Sequence, residues 1–151
     1  MSEDRAGYGS EPDANEVTFR IPGKPTGKGR PRFARMGKFT KTYTDAKTAS
    51  YENLVKLAYC AAVGDRMRFA EGPVAVQITA FFAIPKSWSK AKRAATVWHT
   101  GKPDADNACK AICDALNGIA WTDDGQVADL RVTKVMTQDE PFVQVTIRAC
   151  R

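Results

Sequence analysis

Residues 102–129 read KPDADNACKAICDALNGIAWTDDGQVAD, and the interpretation of the rest of the chain starts from this stretch. Apolar side chains recur in it at helical spacing, which predicts a helix from about Asp106 to Asn117 with Gly118 in the left-handed position after its end. The apolar stripe consists of Ala108, Cys109, Ile112, Ala115 and Leu116. The opposite stripe consists of Asp106, Lys110, Asp114 and Asn117. The predicted helix therefore has a core face and a charged face.

Aspartates flank this predicted helix at both ends. Asp104 precedes it, and Asp123 and Asp124 follow after a return segment. A helix of this size is roughly 18 Å long, and residues 118–124 can extend over roughly 23 Å, so the chain can bring one of the later aspartates back to the start of the helix. Three carboxylates at one point repel each other unless a cation binds, and Mg²⁺ prefers such oxygen ligands. The pattern indicates a site for one or two Mg²⁺ ions.

An alternative without a metal explains each part of the pattern separately. Asp106 or Asn107 suits the N-cap of a helix, and the sequence from Asp123 to Gly125 is ordinary for a turn. We favour the site because the aspartates occur together with Lys110 in a chain that is otherwise basic.

The surrounding segments predict an α+β fold in a single domain. Strands are predicted at residues 17–21, 74–84, 127–137 and 142–149, with the last two joined by the turn QDEP as a hairpin. Helices are predicted from Thr44 or Asp45 to about Val63 and over residues 87–98. The apolar stripe of the first helix consists of Ala49, Leu54, Leu57, Ala58 and Ala61. This order favours a small mixed β-sheet with helices packed on one face.

Charge is distributed unevenly along the chain. Residues 1–16 carry five acids and one base, and we interpret them as a disordered acidic tail before a folded domain of residues 17–151. Because the whole chain has a net charge of +6, the remainder carries +10. Such a charge attracts phosphate backbones, although a basic surface that serves only solubility would carry it as well.

The basic residues are concentrated in residues 24–47, a stretch that Gly and Pro interrupt. We predict that the basic side chains of this stretch contact nucleic acid, namely Lys24, Lys28, Arg30, Arg32, Arg35, Lys38 and Lys41. Phe33, Phe39 and Tyr43 are interleaved and able to stack on bases. In the alternative interpretation these aromatic side chains pack on the core as a short hairpin. The two interpretations are compatible if the aromatic side chains are partly structural while the basic side chains face outward.

Composition argues against a membrane protein. No apolar run is long enough to span a bilayer, and the N-terminus has no apolar signal segment. We therefore expect a cytoplasmic protein with no membrane partner and no small-molecule cofactor.

The motifs resemble a known family. DADNACKAICDALNG, followed by WTDDGQVADLRV, is similar to the signature of RusA-type Holliday junction resolvases, small endodeoxyribonucleases of bacteria and their phages. The resemblance extends over most of residues 17–149 and includes the earlier PGKPTGKGRPRF. The chain departs from the pattern at Ala105, where a larger apolar residue is frequent, and in its acidic tail and long basic loop.

The resemblance implies roles for particular residues. Asp104, Asp106 and Asp124 match the family's Mg²⁺ ligands, and Lys110 matches a lysine that the family needs for catalysis. It also implies a homodimer that nicks two opposed strands of a four-way junction. We therefore expect a Mg²⁺-dependent resolvase that acts in recombination and DNA repair. A broader nuclease that cuts flaps or forks, and a non-catalytic nucleic-acid-binding module, are the alternatives.

Overall fold

The structure, a computed structural model, describes residues 15–29, 32–43 and 45–150. The strands are β1 (Glu16–Pro22), β2 (Arg32–Met36), β3 (Phe39–Tyr43), β4 (Val74–Ala83), β5 (Val127–Thr137) and β6 (Phe142–Ala149). The α-helices are α1 (Ala46–Val63), α2 (Lys90–Ala95) and α3 (Ala105–Leu116), and a short 3₁₀ helix spans Asp124–Gln126. Apart from its last two residues, the predicted acidic tail lies outside the described residues.

The fold is mixed α+β, as predicted, and its main sheet has four strands in the order β1-β6-β4-β5. Strand β4 pairs parallel with β5 and antiparallel with β6, so the sheet is mixed. The first three residues of β4 are all buried, and beyond them buried residues alternate with exposed or half-buried ones, as expected for a strand with one face on the core. Strands β2 and β3 form a separate two-stranded hairpin.

The predicted hairpin of residues 127–137 and 142–149 is wrong in its pairing, although the strand bounds are correct. Strand β4 lies between β5 and β6, and these two strands do not pair with each other. The four residues 138–141 can extend about 13 Å, enough to cross the roughly 10 Å between strands that flank a third strand. A short connection therefore does not force its two strands to be neighbours.

The apolar stripe predicted for α1 is correct only in part, because Leu54 and Ala58 pack against the core but are only partly buried. The helix buries Thr48, Tyr51, Val55 and Tyr59, whereas Leu57 is 67% exposed. Tyr59 packs edge-on against Phe19 of β1 at a centroid distance of 5.7 Å. Large aromatic side chains reach the sheet from this face, and the alanine and leucine side chains of the other face are left nearer the surface.

One hydrophobic cluster joins α1, α3 and one face of the main sheet. Alternating residues of β1 and β6 point into it, including Phe19, Ile21, Val145 and Ile147. The opposite face of the sheet is mixed: the Thr18 and Thr146 hydroxyls lie 3.0 Å apart there, and the Phe81 and Phe142 rings stack on each other. This arrangement leaves the start of α3 at the rim of the core.

The helix predicted over residues 87–98 is shorter than expected. Helix α2 ends at Ala95, and the next residues run along the edge of β5. The Met136 N–H donates to the Val97 carbonyl at 2.8 Å, and the His99 N–H donates to the Lys134 carbonyl at 3.1 Å. The free backbone N–H and C=O groups of an edge strand can form hydrogen bonds with such a segment. Thr96 and Val97 are β-branched and favour the extended conformation that this requires.

None of the helices in the described part of the chain combines the length and the apolar character needed to cross a membrane.

Candidate active site at the start of α3

Asp104 occupies the N-cap position of α3, but its carboxylate makes no capping hydrogen bond. Its backbone carbonyl accepts from the Ala108 N–H at 3.0 Å, which begins the helix. The Lys102 ammonium lies 3.5 Å from the Asp104 carboxylate, and both side chains are largely exposed. The carboxylate is therefore available to a ligand.

Lys134 fixes the segment that leads to Asp104, and the sequence analysis missed this residue. Its ammonium donates to the Gly101 and Pro103 carbonyls at 2.7 Å each. The Lys102–Pro103 peptide bond within this segment is cis. Lys134 pairs in register with the buried Ala80, so a lysine at a core-facing position of β5 was the signal that could have found it.

Glycines of the loop after β1 let this loop approach the start of α3. A Cβ atom on Gly27 would lie 2.7 Å from the Cβ of Pro103. The Lys28 N–H donates to the Asn107 carbonyl at 3.0 Å, and the Gly29 N–H donates to the Thr48 hydroxyl at 2.8 Å. The loop therefore ties α1 to the first turn of α3.

Lys28, predicted to contact nucleic acid, is mostly covered and belongs to an internal ion-pair cluster. Its ammonium lies 2.7 Å from Glu52 and 3.1 Å from Asp114, and its side chain is 20% exposed. Burial lowers the pKa of Lys28, but the hydrogen bonds and charges of Glu52 and Asp114 outweigh it and raise that pKa. The first contacts of this lysine are therefore with α1 and α3.

Lys110 and Asp106 lie on the exposed side of α3, one turn apart. The Lys110 ammonium lies 3.9 Å from Asp114, not beside Asp106 as the sequence spacing suggested. Helical side chains lean towards the N-terminus of their helix, so the Asp114 carboxylate leans back towards Lys110. Asp106 is left exposed in the first turn of the helix.

Asp123 and Asp124 have different surroundings. The Asp123 carboxylate accepts from the Gly125 N–H at 2.9 Å and caps the short 3₁₀ helix, with the Gln126 side chain completing a capping box. The Asp124 carboxylate instead accepts from the indole N–H of Trp121 at 2.9 Å. Trp121 is fully buried, so it anchors Asp124 to the core.

The Cys109 thiol on α3 is close enough to three aspartates to feel their charges. A hydrogen bond with Cys113 lowers the pKa of Cys109, whereas burial and the charges of Asp106, Asp114 and Asp124 act to raise it. The two sulfur atoms are 3.8 Å apart. For Cys113, the hydrogen bond, burial and the charges of Asp124 and Asp114 all raise the pKa. The return segment after α3 thus brings Asp124 back alongside the helix that carries Asp106.

The donor set suits Mg²⁺ in kind, since the side chains concerned are carboxylates and Mg²⁺ takes oxygen ligands. Among the residues described, however, no group of three or more acidic, histidine or cysteine side chains is close enough to hold a metal ion. Mg²⁺ is commonly held by one or two carboxylates, with water and substrate phosphates as its other ligands. A closed three-carboxylate cage is therefore not required.

The other predicted nucleic-acid contacts fall into three groups. Lys24 lines a cavity beside Lys102. Arg35 and Lys38 are exposed on the β2–β3 hairpin. Arg30 lies outside the described residues, as do the side chains of Arg32 and Lys41.

Phe33 and Phe39 of the hairpin do not pack on the core, and the side chain of Tyr43 lies outside the described residues. Phe33 is 70% exposed and Phe39 is 78% exposed. The interpretation of this stretch as a short hairpin is therefore correct, but the expectation that Phe33 and Phe39 pack on the core is wrong. These two rings remain available for contact with a partner.

Comparisons with known proteins bear on this site. Residues 22–148 match the family model described as endodeoxyribonuclease RusA, a range that includes Lys110 and all of the aspartates discussed. The chain is also 33% identical over 141 residues to the uncharacterized protein YqaN of Bacillus subtilis (strain 168). That alignment covers 87% of this chain and 95% of the relative.

Proposed function

Because the chain belongs to the RusA endodeoxyribonuclease family, we propose that it is a Mg²⁺-dependent Holliday junction resolvase. In this proposal it cuts four-way DNA junctions by paired symmetric nicks and serves recombination and DNA repair. Family membership supports nuclease activity on DNA, and the choice of substrate and metal goes beyond it.

One observation supports the proposal: the carboxylates of Asp104 and Asp106 lie at the exposed start of α3, inside the range that the RusA family model matches. Asp104 stands at the N-cap position without capping, and Asp106 is exposed in the first turn. Asp124 returns alongside the helix on a hydrogen bond from a buried indole. A cation bound beside these carboxylates would offset the repulsion between them.

We assign the metal to Asp104, Asp106 and Asp124, with water and a DNA phosphate as further ligands. When bound, Mg²⁺ supplies charge stabilisation at the scissile phosphate. Trp121 holds the orientation of Asp124, and Lys134 holds the backbone before Asp104. Lys110 stabilises the negative charge that develops on the phosphate during attack by water.

The remaining parts of the proposal concern the whole protein. A four-way junction presents two symmetry-related scissile phosphates, and a twofold homodimer offers two identical sites to match them. Residues 17–151 form the endonuclease domain, after an acidic segment of residues 1–16. The substrate places the protein in the cytoplasm of a bacterium, encoded by the host or by a phage.

A panel of labelled DNAs tests this function. Purified protein with Mg²⁺ is given a four-way junction, a three-way junction, a flap and a linear duplex, all with arms of equal length. We expect paired nicks at symmetric positions in opposed strands of the four-way junction and no cleavage of the duplex. Equal cleavage of flaps and junctions would favour the broader nuclease, and binding to all four DNAs without cleavage would favour the non-catalytic module.

A further inference from the structure

A cavity of about 610 Å³ lies next to the candidate active site. It opens between the end of β4, the loop that carries Trp88, and the segment from Thr96 to Lys102. Two of the chain's three tryptophans line it, Trp88 and Trp98, together with three lysines, Lys24, Lys92 and Lys102. Its volume is within the range of small-ligand sites, roughly 300–1,000 Å³.

Hydrogen bonds hold the backbone around Trp98 in place. Trp98 pairs with Val135 as an isolated bridge at the edge of β5. The Val97 carbonyl accepts a hydrogen bond from β5 and the His99 N–H donates one to it, and together they hold this segment to the strand. The side chain is nevertheless 63% exposed. A large exposed ring on a rigid backbone loses little conformational freedom when a ligand stacks on it.

Trp88 is held in place from the opposite side. Its N–H donates to the Pro85 carbonyl at 3.2 Å, and the Arg93 guanidinium donates to the Trp88 carbonyl at 3.3 Å. The Lys92 ammonium lies 4.1 Å from the centre of the Trp88 ring. This wall therefore combines an aromatic face with a positive charge.

The base of the cavity is aromatic and carries no acid. The His99 ring stacks on Phe82 at a centroid distance of 3.6 Å and an interplanar angle of 5°. Burial and the charges of Lys134 and Lys24 lower the pKa of His99, so this ring is neutral near pH 7. Among the described residues that line the cavity, none is acidic.

The cavity is continuous with the candidate active site. Lys24 and Lys102 also line a neighbouring depression of about 460 Å³, which reaches Pro103 and Asn107 at the start of α3. The Lys102 ammonium lies 3.5 Å from the Asp104 carboxylate. A DNA strand with one nucleotide in the cavity would therefore run with its phosphates past Lys24 and Lys102 towards Asp104.

We propose that this cavity binds one unpaired nucleotide of the DNA, with its base stacked against Trp98 and Trp88 and its flanking phosphates at Lys24 and Lys102. This inference rests on the proposed function, because it takes DNA as the substrate. Bases inside a duplex have both faces covered by their neighbours, so the ring faces of the cavity select a nucleotide that has left the stack. The site gives the enzyme a means to recognise the branch point, where the continuous stacking of the bases is interrupted.

Binding without cleavage tests the proposal. In EDTA, the protein is titrated with a four-way junction that carries one unpaired nucleotide at the branch point, and with the same junction carrying an abasic residue there. Aromatic stacking on a base is worth roughly 5- to 150-fold in affinity, so we expect the wild-type protein to prefer the base-bearing junction by a factor in that range. Trp98→Ala should remove this preference, and Trp98→Phe should keep most of it.

A neighbouring residue provides the matched control. Val97 lies on the same segment, is 56% exposed and does not line the cavity. Val97→Ala should keep the full preference for the base, and thermal melts should show that all four variants, including Trp88→Ala, fold. Trp88→Ala should reduce the preference in the same direction as Trp98→Ala.

Several outcomes would overturn the proposal. One is a Trp98→Ala protein with an unchanged preference for the base, and another is a wild-type protein that cleaves junctions but binds both DNAs equally. Competition by free dAMP at the concentration at which the junction binds would assign the cavity to a free nucleotide instead. A wild-type protein that prefers the base but cuts no DNA would refute the proposed nuclease function and support the cavity as a base site.

Discussion

Asp123 and Asp124 are adjacent in sequence, yet their carboxylates make contacts of different kinds. Asp123 caps the turn through the Gly125 N–H, and Asp124 is held by the indole N–H of Trp121. In an extended chain, successive side chains point to opposite sides, so the sequence predicted that only one of the two joins the site, and the family resemblance selected Asp124. The contact with Trp121 could not be predicted, because it depends on how the segment before the turn enters the core.

The first prediction separates these two carboxylates. Asp124→Asn should abolish cleavage, since the amide is a poor ligand for Mg²⁺, whereas Asp123→Asn should retain substantial activity because Asn also caps turns. Cleavage rates and thermal melts with and without Mg²⁺ provide the measurement. An inactive Asp123→Asn protein beside an active Asp124→Asn protein would mean that the assignment is wrong by one residue.

The second prediction concerns Lys110. Lys110→Ala should lower the single-turnover cleavage rate by about 10²- to 10³-fold, as the loss of one charge-stabilising group does elsewhere, and should change DNA affinity little. Lys90→Ala removes the same charge from an exposed site on α2 and should cleave normally. Normal cleavage by Lys110→Ala would reduce this lysine to an ion-pair partner of Asp114.

At the scale of elements, local patterns predicted the existence and bounds of most strands and helices but not their partners. The bounds of β5 and β6 agree with the alternating sequence, while the position of β4 between them depends on burial across the whole sheet. In α1 two faces carry apolar residues, and periodicity alone could not show that Tyr51, Val55 and Tyr59 form the core face. The bounds of an element follow from local sequence, whereas the pairing of strands and the choice of the helix face that packs on the core depend on the whole fold.

The third prediction tests how β5 positions the candidate site. Lys134→Met keeps the length and apolar stem of the side chain but loses the hydrogen bonds to the Gly101 and Pro103 carbonyls. We expect cleavage to fall with little change in DNA affinity, and unfolding free energy to drop by about 1–2 kcal/mol. Denaturant unfolding and single-turnover cleavage measure the two effects, and unchanged cleavage would show that Asp104 does not need this support.

At the scale of the whole molecule, the positive charge is divided between exposed and internal sites. Arg35 and Lys38 are exposed on the hairpin, while Lys28 is held between Glu52 and Asp114. Composition and sequence position predicted a common role for all three. The distinction between them arises only when α1 and α3 come together around the loop that carries Lys28.

The fourth prediction follows from this division of charge. Replacing Arg35 and Lys38 together with Ala should flatten the salt dependence of junction binding, by about 0.9 in the log–log slope for each lost phosphate contact. The double change Arg66→Ala and Lys90→Ala removes the same two kinds of charge from other exposed sites and serves as the control. An unchanged slope in the hairpin variant would place the hairpin away from the DNA.

The fifth prediction concerns the central claim, that the carboxylates at the start of α3 hold the metal for cleavage of a junction. The most direct measurement compares wild-type protein with Asp104→Asn and Asp106→Asn on a labelled four-way junction in Mg²⁺, with binding followed in parallel. We predict paired symmetric nicks from the wild-type protein, and no nicks from either variant although both bind the junction at least as tightly, because each change removes negative charge near the phosphates. Cleavage by either variant at the wild-type rate would contradict the account.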